Sequence, residues 1–238
     1  MTFDVRDPSP AERLIVALDV PTIDDAREMI DHLNGTVSFF KVGMQLLYSG
    51  GFDLINELTA SGKQVFVDLK LLDIDNTVQK GIESLTAFNP TFVTLHAYPH
   101  AMRAAVEGKG KIDLALLAVT VLTSLDEAGL KETGYKDTRV SDLVIKSALQ
   151  AKEIGVDGIV CSAVEASMIR TMVGPELILV TPGIRPASAA ADDQKRIVTP
   201  ADAIRNGSDY LVVGRPILKA DDPKLAAQQV IEEIESAL

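Results

Sequence analysis

The sequence predicts a single α/β domain over residues 1–238, a (β/α)8 barrel of the TIM-barrel kind, and three observations carry that prediction. Short apolar runs alternate with stretches of helical spacing along the chain. The runs are nearly continuous in Val, Ile, Leu and Phe, as strands of a parallel sheet buried on both faces are. Eight such repeats average about 30 residues, the count and length a closed barrel needs. A doubly wound open sheet is the alternative, but no Gly-x-Gly-x-x-Gly turn follows the first run, which removes the main support for a dinucleotide fold.

The first run, LIVALDV from Leu14, is apolar except for Asp19 near its end. Behind it TIDDAREMIDHL opens with Thr22, a residue type whose hydroxyl caps helix N-termini. The second, FFKVG from Phe39, places Lys41 between Phe40 and Val42, so alternation turns Lys41 to the opposite face from both. GFDLINELTASG follows with helical spacing, and QVFVDLKL from Gln64 is the third strand. There Asp68 and Lys70 share one face, toward the barrel axis if Val67, Leu69 and Leu71 face the helices. FVTLHAY from Phe92 and LALLAVTVLT from Leu114 are the fourth and fifth strands, and SDLVIKSALQAKEIG is a helix leading to GIVCSA from Gly158. LILVTPGI from Leu177 and YLVVGRPI from Tyr210 complete the eight. The closing stretch PKLAAQQVIEEIESAL reads as a packing helix, with Pro223 at its start and Leu225, Val230, Ile231 and Ile234 on its apolar side.

Composition narrows the function. With 47% hydrophobic and 24% charged residues, the chain is too apolar for disorder. No apolar run approaches the roughly 20 residues of a membrane helix, and MTFDVRDPSPAER lacks the features of a signal peptide, so a cytoplasmic location is expected. A lone cysteine, Cys161, offers neither a disulfide nor a thiolate metal site and reads as core. A net charge of −11 repels a phosphate backbone and argues against nucleic acid as a partner. An anionic substrate must then meet a local cluster of cations.

Barrel enzymes draw their site residues from the C-terminal ends of the strands. Here those ends hold Asp19, Lys41, Asp68 with Lys70, His96, Thr123, the segment TPGIR ending in Arg185, and Gly214 with Arg215. Charges inside an apolar segment survive only when paired, so Lys41, Asp68 and Lys70 are expected to converge. A purely structural ion pair is the plainer alternative. Glycines beside arginines in the loops after the seventh and eighth strands suit a phosphate, which backbone N–H groups and a guanidinium fork can hold together. RPASAAADDQKR, from Arg185 to Arg196, has little apolar content and reads as a lid. His96 reads as a structural group beside the site, since three scattered histidines make no ligand set.

The run DLKLLDIDNTV resembles the Asp-x-Lys-x-x-Asp signature of the orotidine 5'-phosphate decarboxylase family, and the resemblance extends through ALDV, KVGMQLL, VTVLTS, VTPGIR, DDQKR and VVGRPI. The family pattern usually has His where this chain has Leu72 and Pro where it has Asp75, neither of them catalytic. The resemblance implies decarboxylation of orotidine 5'-phosphate to uridine 5'-phosphate and CO2 without cofactor or metal, with Lys70 as proton donor in a network of Lys41, Asp68, Lys70 and Asp73. It assigns Asp19 to the ribose hydroxyls, although pairing with Lys41 is an open alternative, and Thr123 to the pyrimidine. Arg185, Gln194, Gly214 and Arg215 fall to the phosphate. It further implies a homodimer in which Asp73 and Thr77 enter the partner's site; on the residues alone, the two share a face if helical geometry has begun at Asp73, so that both project from the rim. Three competitors stand beside this reading. A magnesium-dependent sugar-phosphate enzyme of the same superfamily conflicts with the cation Lys41, a Schiff-base aldolase with an ammonium flanked by carboxylates, and an inactive nucleotide-binding barrel with the retention of Lys70.

Overall fold

The computed structural model describes residues 4–136, 138–186 and 198–238. Eight strands form a closed, wholly parallel barrel in sequence order: β1 (Leu14–Ala17), β2 (Phe39–Gly43), β3 (Gln64–Leu71), β4 (Phe92–His96), β5 (Ala115–Val119), β6 (Gly158–Val160), β7 (Ile178–Pro182) and β8 (Tyr210–Val213). Pairing of β8 with β1 through Leu14↔Leu211, Ile15↔Val212 and Val16↔Val213 leaves no open edge.

The helices are α1 (Ile23–His32), α2 (Met44–Leu47), α3 (Gly51–Ala60), α4 (Asp75–Leu85), α5 (Pro99–Lys109), α6 (Glu127–Glu132), α7 (Val140–Ile154), α8 (Ala166–Val173), α9 (Pro200–Arg205), α10 (Arg215–Leu218) and α11 (Pro223–Glu235). Thr22 caps α1 as expected, its hydroxyl accepting from Asp25 N–H at 3.1 Å. Short α2, α6 and α10 follow β2, β5 and β8 at the end of the barrel where the site lies, and none was evident from the apolar spacing. Two further expectations are corrected. The fifth run stops being a strand at Val119, so Thr123 lies in a turn. Leu225 is half exposed in the first turn of α11, where the buried side is Ala227, Val230 and Ile234.

Period-two alternation produces two cores. Val16, Phe40, Val42, Val65, Val67 and Val93 point out to the helices, whereas Ile15, Phe39, Phe66, Phe92, Val180 and Tyr210 fill the barrel. The inner rings touch edge to face, with Phe92 and Tyr210 centroids 5.0 Å apart at 90°. Tyr210 donates its hydroxyl to Val5 O at 3.0 Å, so the interior is filled toward its N-terminal end.

That end is tied by a repeated device. Asp157, just before β6, accepts Leu116 N–H at 2.8 Å and pairs with Lys109 at 2.7 Å. Asp209, just before β8, accepts Leu179 N–H at 2.7 Å and pairs with Arg170 at 2.7 Å. Arg170 also donates to the carbonyls of Gly174, Leu177 and Gly207. Each aspartate fixes the register of its neighbour strand and neutralises a cation from the helix layer.

Candidate active site

Alternation along β2 and β3 decides what the barrel mouth contains. Because Phe40 and Val42 belong to the outer core, Lys41 turns inward and is buried. Its ladder partner is Phe66, and Gly43 pairs with Asp68, which brings Lys41 alongside the inward side chain of Asp68. Lys41 Nζ lies 2.9 Å from Asp19 Oδ1 and 3.6 Å from Asp68 Oδ2, and Lys70 Nζ lies 2.8 Å from Asp68 Oδ1. The result is a chain of alternating charge, Asp19, Lys41, Asp68, Lys70. Pairing of Asp19 with Lys41 is therefore present, and because the Asp19 side chain is 58% exposed it retains room for a further donor.

Asp68 is the hub. Burial opposes its ionisation, yet the charges of Lys41 and Lys70, with hydrogen bonds from Lys70 and Thr94, hold its pKa below the usual carboxylate range. His96, at the end of β4, has its pKa lowered by burial and then by the Lys70 charge, against a smaller opposing pull from Asp68. Cys161 is buried and its thiol is pushed upward by desolvation, as an unreactive core thiol is.

Lys70 has an unexpected backbone. Its φ is +52°, and Asn89 is the other non-glycine residue with positive φ among the described residues. The β3–β4 ladder slips there: Val67 pairs with Val93 but Leu71 with Leu95. Three residues of β3 are thus accommodated against one of β4, and Lys70 takes a left-handed conformation that costs an ordinary residue about 1–2 kcal/mol. Such backbone strain, in the residue whose side chain ends a charged network, marks a functional position.

One cavity of about 380 Å³ collects Asp19, Lys41, Asp68, Lys70, Thr123, Arg185, Gly214 and Arg215. Arg185 is 5% exposed, whereas Arg215 at the start of α10 is exposed. Gly183, also lining the cavity, has φ +81°, so its turn requires glycine. Gln194, and the lid reading from Ala187 to Arg196, lie outside the described residues.

Asp73 and Thr77 are not in this cavity. Asp73 is exposed, its carboxylate accepts its neighbour Ile74 N–H at 2.7 Å, and it lines a separate rim depression with Leu72, Ile74 and Tyr98. Helix α4 begins only at Asp75, so the shared-face condition for Asp73 and Thr77 is not met; Thr77 is exposed within the first turn of α4. Ile74, 70% exposed, and Leu72, 44% exposed, make this rim unusually apolar.

Two site residues escaped the sequence reading. Thr94 is fully buried, accepts Lys70 N–H at 3.0 Å and reaches Asp68 Oδ1 at 2.8 Å. Gly43 lies where an added Cβ would stand 3.0 Å from Lys41 Nζ. Both could have been found by stepping in twos from an inward Phe: Phe92 to Thr94 to His96, and Phe39 to Lys41 to Gly43.

Among the described residues no helix is long and apolar enough to cross a membrane, and no three His, Cys, Asp or Glu side chains gather as a metal site. Residues 12–230 match the family described as Orotidine 5'-phosphate decarboxylase / HUMPS family. The chain is 57% identical over 231 residues to an orotidine 5'-phosphate decarboxylase of Rhodopseudomonas palustris (strain HaA2), covering 97% of this chain and 98% of that one. It is 54% identical to a protein of the same name from Methylobacterium nodulans, over 97% and 98% of the two chains. The crystal structure of orotidine 5'-phosphate decarboxylase from Lactobacillus acidophilus superposes with a TM-score of 0.83 at 36% identity, over 94% of this chain and 99% of that one.

Proposed function

The chain belongs to the orotidine 5'-phosphate decarboxylase / HUMPS family, and from that premise we propose how its site performs the decarboxylation of orotidine 5'-phosphate to uridine 5'-phosphate in pyrimidine biosynthesis. The observation that carries the reading is the alternating chain Asp19, Lys41, Asp68, Lys70 in the same cavity as Arg185 and Arg215.

The reaction breaks the bond from C6 of the pyrimidine to its carboxylate. CO2 departs, and the electron pair stays on C6 in an orbital that the ring π system cannot delocalise. Fixed charge must therefore meet the carbanion as it forms. The Lys70 ammonium, held 2.8 Å from Asp68, stabilises that pair, gives its proton to C6 and is reprotonated from water. Asp68 keeps Lys70 oriented, and Lys41 prevents the buried carboxylate from being left with a single counter-charge. Asp19 faces the ribose, and Thr123 the pyrimidine. Gly214, Arg215, Arg185 and Gln194 hold the phosphate, in the loops where barrels commonly bind one. The whole chain works as one barrel domain, in the cytoplasm, where a lone buried Cys161 needs no partner.

The direct test follows the loss of ultraviolet absorbance of orotidine 5'-phosphate, with and without EDTA. Chelator-insensitive turnover is expected, since a cation such as Lys41 at the end of β2 repels a divalent ion; turnover abolished by EDTA would favour the metal-dependent reading. Lys70→Ala should lose more than about 10⁴-fold in kcat while binding uridine 5'-phosphate within about threefold of the parent. Retention of a tenth of the rate would remove Lys70 from the proton-donor role.

The active unit is a homodimer with Asp73 and Thr77 reaching into the partner's site. Support comes from the apolar rim, which brings an exposed carboxylate to a surface a second copy could cover. Mixing inactive Lys70→Ala and Asp73→Ala chains under subunit exchange should restore activity, because one site of each mixed dimer then has both residues intact. About a quarter of the parent rate is the ceiling. No recovery, with mixed dimers confirmed by mass spectrometry, would confine Asp73 to its own chain's site.

A further inference from the structure

We infer that Thr94 is a positioning residue for the reaction, and that its hydroxyl closes a ring of hydrogen bonds holding Lys70 in its left-handed conformation against Asp68. The inference rests on the role given to Lys70 above. A hydroxyl has one proton and can accept at its lone pairs. Thr94 Oγ1 accepts from Lys70 N–H at 3.0 Å, so its own proton is available to Asp68 Oδ1 at 2.8 Å, an oxygen that can only accept while ionised. That same Oδ1 accepts from Lys70 Nζ at 2.8 Å. Lys70 is thereby held at both ends, by its amide and by its ammonium, through two oxygens joined by a hydrogen bond.

The ladder slip explains why a side chain has to do this. Between the pairs Val67↔Val93 and Leu71↔Leu95, the surplus residues of β3 have no register partner on β4. A part-buried amide left unpaired at that point would favour a return to regular pairing and withdraw Lys70 from the axis. Thr94 is 0% exposed and belongs to the β4 segment opposite the slip, so no water substitutes for it. Its donation to Asp68 also acts on charge, as one of the hydrogen bonds that keep the carboxylate ionised despite burial.

Thr94→Val keeps shape and β-branching and removes only the hydroxyl. We expect kcat to fall about 30-fold or more, with affinity for uridine 5'-phosphate within threefold of the parent. Losing a donor to the ionised form raises the Asp68 pKa, so the acid limb of the kcat pH profile should move to higher pH. Thr94→Ser keeps the oxygen and should recover most of the rate and the parent acid limb. The inference is overturned if Thr94→Val turns over within threefold of the parent, if Ser and Val lose equally, or if the acid limb stays in place. A Lys70→Ala chain measured alongside separates the two claims. Activity there would overturn the Lys70 role itself, whereas an inactive Lys70→Ala beside a fully active Thr94→Val would overturn the Thr94 inference alone.

Discussion

Gly43→Ala should separate the demands of the fold from those of the site. Gly43 has φ −99° and ψ −179°, an extended conformation that alanine adopts freely. Replacing such a glycine stabilises by about 0.4–1 kcal/mol through the unfolded chain. The new Cβ would lie 3.0 Å from Lys41 Nζ, so the ammonium must retreat by about 0.5 Å to reach ordinary contact. Lys41 Nζ starts 3.6 Å from Asp68 Oδ2 and 2.9 Å from Asp19 Oδ1. If it recedes that far from both, at an effective dielectric of about 20, the Asp68 attraction weakens by about 0.6 kcal/mol and the Asp19 attraction by about 0.8 kcal/mol. Asp19 is more than half exposed, so solvent screens much of the second figure. The expected fall in kcat/KM is therefore about threefold, with about tenfold as the limit if both count in full. Thermal unfolding with initial rates at one substrate concentration far below KM suffices as the assay. Tm should be unchanged or raised by up to about 3 °C while kcat/KM falls. An unchanged kcat/KM, or a Tm lowered in step with activity, would refute the claim that Gly43 is glycine for the sake of Lys41.

The remaining expectations span both ends of the barrel. Arg215→Ala removes an exposed guanidinium from the phosphate loop and should lower kcat/KM by about ten- to hundredfold with Tm nearly constant; an unchanged kcat/KM would move the phosphate site elsewhere. Arg170→Ala leaves part-buried Asp209 and three carbonyls without their cation, and should cost about 1–3 kcal/mol of stability while kcat/KM at 25 °C stays within twofold; equal losses in both would show that the lower tie governs the site. Because the His96 pKa is lowered in the folded chain, the unfolded chain binds more protons below about pH 6.5, so the His96 contribution to stability is present above that pH and lost on acidification. His96→Gln should therefore flatten the decline in Tm between about pH 7 and pH 5, and an identical slope would refute it.

Much of this was legible in the sequence, for a reason that particular residues make clear. Lys41, Asp68 and their apolar neighbours obey a period of two, and in a barrel buried on both faces every polar interruption of that period has to point at the axis. Legibility ends where one strand's conformation depends on another's register. Nothing in DLKLL announces a positive φ at Lys70, because the slip exists only between β3 and β4. Thr94 looks like any β-branched strand residue until Asp68 and the Lys70 amide stand on either side of it. Leu225 follows the helical period yet is half exposed, since the period marks a stripe but not where the barrel's cover ends.

The two ends of the barrel then explain each other. The left-handed Lys70 persists only if neighbouring strands cannot slide to repair the slip, because shifting β3 by one residue would turn Phe66 outward and Val65 and Val67 inward. Phe66 packs edge to face on Phe92, which packs in the same way on Tyr210, and β7 and β8 are pinned below by Asp209 and Arg170. Register fixed by apolar rings and part-buried ties lets the upper end hold a strained lysine, two carboxylates and two arginines without the sheet relaxing around them. That arrangement predicts a direction of coupling. Changes in the lower ties should alter how long the fold survives before they alter what the site does, whereas Gly43 should change the chemistry with little effect on survival.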